Sequence, residues 1–138
     1  MTPQELKSRS QTFCIRIIKM TLSLPRSIVS RIITDQIIRA STSVAANYRA
    51  ACRAKSDSDF LFKIKIVEEE ADETLFWLEI IVLLELIRRK RLESLIKEAE
   101  ELLKIFSASA ITARNKARKK FGTQTIVNRK SKIENYNQ

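Results

Sequence analysis

Apolar residues recur along this chain at steps of three and four, and the breaks between the runs divide it into four amphipathic helices. The first stripe is Leu6, Phe13, Ile17, Met20 and Leu24. "TPQE" opens it: Thr2 can cap, Pro3 suits the first helical position, and Glu5 can reach back to complete a capping box. Pro25 disfavours a helical residue before it, so a stop is expected near "SLPR". The second stripe runs through Val29, Ile33, Ile37, Ala40, Val44 and Ala51, with Asn47 on the same face, and its helix should end near Lys55. Ser56, three positions before Asp59, starts the third and longest helix, with Phe60, Ile64, Val67, Ala71, Thr74, Leu78 and Ile81 inward. "RRKR", residues 88–91, reads as a solvated connection in which Arg88 and Arg89 also suit a helix C-terminus. Leu92, Leu95, Ile96, Ala99, Leu103, Phe106, Ala110 and Ala113 mark the fourth helix, which Gly122 is expected to stop.

Short connections between four such helices predict an all-α fold, an antiparallel up-down-up-down four-helix bundle over residues 1–121. Residues 122–138 hold too few large apolar side chains to build structure alone and are expected to form a flexible basic arm that orders on a partner. Two helices carry a second apolar stripe: Ile15, Ile18 and Leu22 behind helix 1, and Phe76, Ile80, Leu83 and Ile87 behind helix 3. One bundle cannot bury both faces, so these residues predict a homo-oligomer interface. Helix 4 has instead an ordinary wet face of Lys97, Glu98, Glu101 and Lys104.

The stretch "IVEEEADETLFWLE", residues 66–79, crowds five carboxylates into six positions. With Val67, Ala71, Thr74 and Leu78 inward, Glu68, Glu69, Asp72 and Glu73 point sideways or outward, and only Glu70 nears the core edge, in line with Glu73 and Trp77. A paired-carboxylate active site needs a second acid opposite, and helices 1 and 2 supply only Glu5 and Asp35. A structural polar network fits better, with Arg39 as partner for Glu70 and Glu73, and Ser41, Ser43 and Asn47 as further donors.

Composition narrows the chemistry further. The chain has no His, which removes the commonest general base and metal ligand, and no nucleophile–base pair can be assembled. No catalytic residue, metal or cofactor is therefore expected. Cys14 and Cys52 lie far apart in helical patterns and read as reduced thiols of a cytoplasmic protein. Nothing resembles a signal peptide, and the most apolar run, "TLFWLEIIVLLELI", is too short to span a membrane and carries Glu79 and Glu85.

Charge is uneven: +8 over residues 1–56, −5 over 57–110 and +7 over 111–138, for +10 in all. On helix 2, Arg31, Arg49 and Arg53 point away from the core stripe. Further on, Arg114, Lys116, Arg118, Lys119 and Lys120 lie at many angles around helix 4, and Arg129 and Lys130 follow in the arm. Arg and Lys with few aromatics near them point to phosphate contacts largely without base specificity. Two functions of different class follow: a non-catalytic nucleic-acid-binding accessory protein, or a protein-directed oligomeric scaffold whose charge serves solubility or an acidic partner.

The run from Arg39 to Glu79 also resembles a known family. Ser43, Asn47, Tyr48 and Arg49, then Asp59 and Phe60, then Glu70, Glu73, Trp77 and Leu78 occur in the order and separation found in bacterial four-helix-bundle proteins encoded by intervening sequences of 23S ribosomal RNA genes. The resemblance extends from about residue 5 to about residue 115, with a departure at Ala50, where the family often has Glu. It implies a homopentameric barrel with no known enzymatic activity. The same broad family includes accessory proteins of diversity-generating retroelements, which implies RNA and a reverse transcriptase as partners.

Overall fold

The computed structural model describes the backbone of residues 1–136 and, beyond Gly122, the side chains of Asn128, Lys130 and Lys132. The described residues form four α-helices and no strand: α1 (Pro3–Thr21), α2 (Ile28–Ala51), α3 (Asp57–Leu83) and α4 (Arg89–Tyr136).

Three helix starts use a hydroxyl cap, which satisfies a backbone donor that the helix itself cannot. At α1 the capping box is complete: the Glu5 N–H donates to Thr2 Oγ1 at 3.1 Å, and the Thr2 N–H donates to the Glu5 carboxylate at 2.9 Å. Ser27 caps α2 through the Ser30 N–H, and Ser56 caps α3 through the Asp59 N–H. Asp59 does not close the box on Ser56. Its carboxylate accepts from the Lys55 N–H at 3.3 Å and holds Lys63 at 3.1 Å.

The inward faces merge into one core that includes Phe13, Ile17, Ile37, Val44, Ile64, Val67, Leu78, Ile81, Leu102 and Phe106, all essentially sealed from solvent. Tyr48 joins it, tilted at 47° against Phe106 with ring centroids 5.5 Å apart. Truncating a ring such as Phe106 would remove about 3–5 kcal/mol. On α4 the buried position is Leu102, while Leu103 only packs partly against the core. Val29 is exposed rather than inward, and Ser30 takes the buried place one step on.

The larger departure lies at the end of α3. The helix stops at Leu83, with Leu84 as its cap and Glu85 in the left-handed region at φ 56°. The Leu86 N–H reaches the Ile81 carbonyl at 3.1 Å and the Glu85 N–H reaches the Val82 carbonyl at 3.0 Å. This is the Schellman pattern, which turns the chain back over its own last turn. Leu86 therefore packs on the core and Ile87, only 5% exposed, enters it. Ile87 is thus not part of an outward stripe, and Arg88 to Arg91 do not flank the C-terminus of α3: Arg88 precedes α4 and Arg89 to Arg91 begin it.

Nor does α4 stop at Gly122. Its backbone continues to Tyr136, and nothing lies within 4 Å of where a Cβ on Gly122 would sit.

Candidate nucleic-acid interface

Charged side chains fall into two groups, those held by a carboxylate of another helix and those presented outward. Arg39 belongs to the first. Projecting from α2, it approaches the Glu70 carboxylate on α3 at 3.2 Å and pairs with Glu73 through its other terminal nitrogen. Two acids three positions apart on a helix lie on one face, so a single guanidinium fork can meet both. Ser43 and Asn47 do not join them: Asn47 Nδ2 donates to the Ser43 carbonyl and hydroxyl, each at 2.9 Å, within α2. Ser41 donates to its own helix as well. The acidic stretch thus locks α2 to α3 along one edge and leaves Glu69 and Asp72 in water.

A second clamp escaped the sequence reading. Arg9 on α1 donates from Nε to Glu98 at 2.9 Å and from Nη2 at 2.5 Å, and meets Glu101 at 3.0 Å. Those bonds hold the Glu98 carboxyl below its usual range against the opposing effect of partial burial. Of the two acids expected on the wet face of helix 4, Glu101 is exposed and Glu98 is half-buried. The only hint was that Arg9 flanks the Leu6–Phe13 stripe, and no local spacing links residues on the first and last helices.

The cations expected to meet nucleic acid lie on or beside α2 and along α4. Arg31, Arg49 and Arg53 are exposed on and just after α2. On α4, Arg118 and Lys119 are exposed and Arg114 is half-buried. Lys116 and Lys120 are drawn back onto Asp57 at the start of α3, at 3.5 and 2.9 Å, and Lys120 in particular holds the Asp57 carboxyl below its ordinary value. Lys130 is exposed, and the Arg129 side chain lies outside the described residues. Beside Lys116, a cavity of about 710 Å³ opens between the α2–α3 connection and α4, walled chiefly by Ala51, Ala54, Phe60, Ala108 and Thr112. The rest of its lining is polar, Lys55, Ser56, Asp57 and Ser109 with Lys116 itself, and Asp57 is already held by Lys116 and Lys120.

Of the residues expected at an oligomer interface, Ile15, Leu22, Phe76 and Leu83 are exposed, with Leu22 and Leu83 at 84% and 76%. Ile18 is half-buried, Ile80 leans on the core, and Ile87 is internal. The periodicity did not expose Ile28, Ile32 and Phe62, which are also largely in solvent. Cys14 and Cys52 are unpaired, the first buried and the second exposed, and burial pushes the Cys14 thiol up. Among the described residues no three His, Cys, Asp or Glu side chains cluster as metal ligands, and no helix is long and apolar enough to cross a membrane.

Residues 4–108 match the family model described as 23S rRNA-intervening sequence protein. A crystal structure from Bacteroides thetaiotaomicron, of a protein of unknown function from the S23 ribosomal protein family, is 33% identical. It covers 76% of this chain and 97% of its own length, with a TM-score of 0.70. No curated protein matches this chain.

Proposed function

This chain belongs to the 23S rRNA-intervening sequence protein family, and we propose that it is a non-catalytic, homo-oligomeric accessory protein that binds RNA, alone or with a reverse transcriptase, through its basic surface. The observation that carries this reading is the outward set Arg31, Arg49, Arg53 and Arg118 on a chain of net charge +10. None of the four lies within 4 Å of a carboxylate among the described residues, whereas Arg9 and Arg39 each meet two. Cations left without internal partners attract phosphates and release counterions on binding. In this reading the four helices form an antiparallel bundle, and copies join through Ile15, Leu22, Phe76 and Leu83 into the barrel that the family resemblance implies. Repetition around a ring multiplies weak phosphate contacts. The unpaired thiols suit a cytoplasmic setting.

An oligomeric scaffold without nucleic acid is the second reading, favoured by the engagement of Lys116 and Lys120 with Asp57 inside the fold. Binding of a labelled structured RNA across a salt series separates the two. The accessory role requires binding that weakens steeply with salt and weakens again when the chain is ended at Ala113. Absence of binding at low salt by either form overturns it.

A further inference from the structure

A cleft of about 320 Å³ opens between α1 and the first turns of α4, with Arg16, Lys19, Ser23, Arg91 and Ser94 around an apolar floor. Arg16 Nη2 donates to Ser94 Oγ at 3.0 Å and Arg91 Nη2 donates to Ser23 Oγ at 3.4 Å. Neither arginine, nor Lys19, has a carboxylate within 4 Å among the described residues. The adjacent Glu98, whose carboxyl Arg16 helps to hold down, has its oxygens occupied by Arg9. Since each serine oxygen accepts from a guanidinium, its O–H remains available to donate, so the polar wall presents donors almost exclusively.

The helix behind this wall sharpens the demand for an anion. α4 opens with Arg88 at its cap position, a side chain with no acceptor, and has no acid in its first turn. Arg88, Arg89, Lys90 and Arg91 thus crowd the positive pole of a helix, where cations are disfavoured and anions are welcome. Guanidinium forks, an ammonium and hydroxyl donors over an apolar floor match one ligand class, a tetrahedral oxyanion of phosphate size.

We propose that the α1–α4 cleft is a phosphate-binding site that grips a backbone phosphodiester of RNA, a step that rests on the nucleic-acid reading above. Free phosphate shares this chemistry, so two measurements on the full chain are needed. Inorganic phosphate should raise Tm by several degrees over chloride at matched ionic strength. That rise should vanish in Arg16→Gln/Arg91→Gln, shrink in Ser94→Ala, which leaves every cation in place, and persist in Lys65→Gln/Lys104→Gln, two exposed lysines outside the cleft. Against labelled RNA, the Arg16→Gln/Arg91→Gln protein should lose about tenfold in affinity and about 1 from the salt slope, for the one phosphate that both arginines hold. An equal phosphate response in that variant, or none in the wild type, overturns the site. A lost phosphate response with RNA binding unchanged overturns the backbone as its source and leaves free phosphate. If the wild type binds no RNA yet keeps a cleft-dependent phosphate response, the nucleic-acid reading falls while the cleft stands.

Discussion

At the start of α3 the chain provides Ser56 as a cap and Asp57 and Asp59 in the first turn; at the start of α4 it provides Arg88, Arg89, Lys90 and Arg91 and no acid. The first arrangement cooperates with the helix dipole and draws Lys63, Lys116 and Lys120 inward. The second opposes the dipole and leaves its positive charge to be satisfied from outside. One start is thus complete within the fold, and the other reserves its stabilisation for a ligand, as functional sites do when they break a local rule.

Arg88→Asp should break the contrast most strongly. It supplies a cap and reverses a charge at the positive pole, for a gain of about 1–2 kcal/mol in urea unfolding, and it should weaken the response to phosphate. Ser56→Ala attacks the completed start and should cost about 1 kcal/mol by the same measurement. Between the two starts, Glu85 holds the left-handed turn that delivers the chain to α4. Glu85→Gly relieves the steric cost at a net gain of about 0.5–1 kcal/mol, because glycine adds unfolded-state freedom in return. The smallest effect belongs to Asp57→Asn on the surface. Because Lys120 depresses the Asp57 pKa in the fold, its contribution is complete above the unfolded carboxylate value and fades as pH falls through the folded one. The Tm difference between Asp57→Asn and wild type should therefore be present at neutral pH and vanish in acid.

The caps at Thr2 and Ser56 and the pairing of Arg39 with Glu70 and Glu73 were legible because each depends on spacings of three or four within one helix, or on one conspicuous partner on the next. The end of α3 was not. Leu83, Leu84, Leu86 and Ile87 continue an apolar run that a helix could also accommodate, and no glycine marks the turn that Glu85 makes. Placing the helix end four residues late assigned "RRKR" to a connection and Ile87 to the outside. The α1–α4 contacts, Arg9 with Glu98 and Arg16 with Ser94, depend on the relative register of helices about eighty residues apart, which periodicity does not encode.

Gly122, the only glycine of the chain, lies inside α4 where no neighbouring atom approaches its Cβ position. Glycine weakens a helix interior by about 1 kcal/mol relative to alanine, and here no packing offsets that. The stretch 123–136 that follows is no longer than the roughly 12–15 residues below which an isolated helix is marginal in water. Its helicity is a matter of propagation without nucleation: the bundle-bound half of α4 supplies the nucleus, and residues 123–136 extend a template already formed. Severed from that template, the same residues revert to coil, so the shape of the basic extension is inherited from the fold that anchors it.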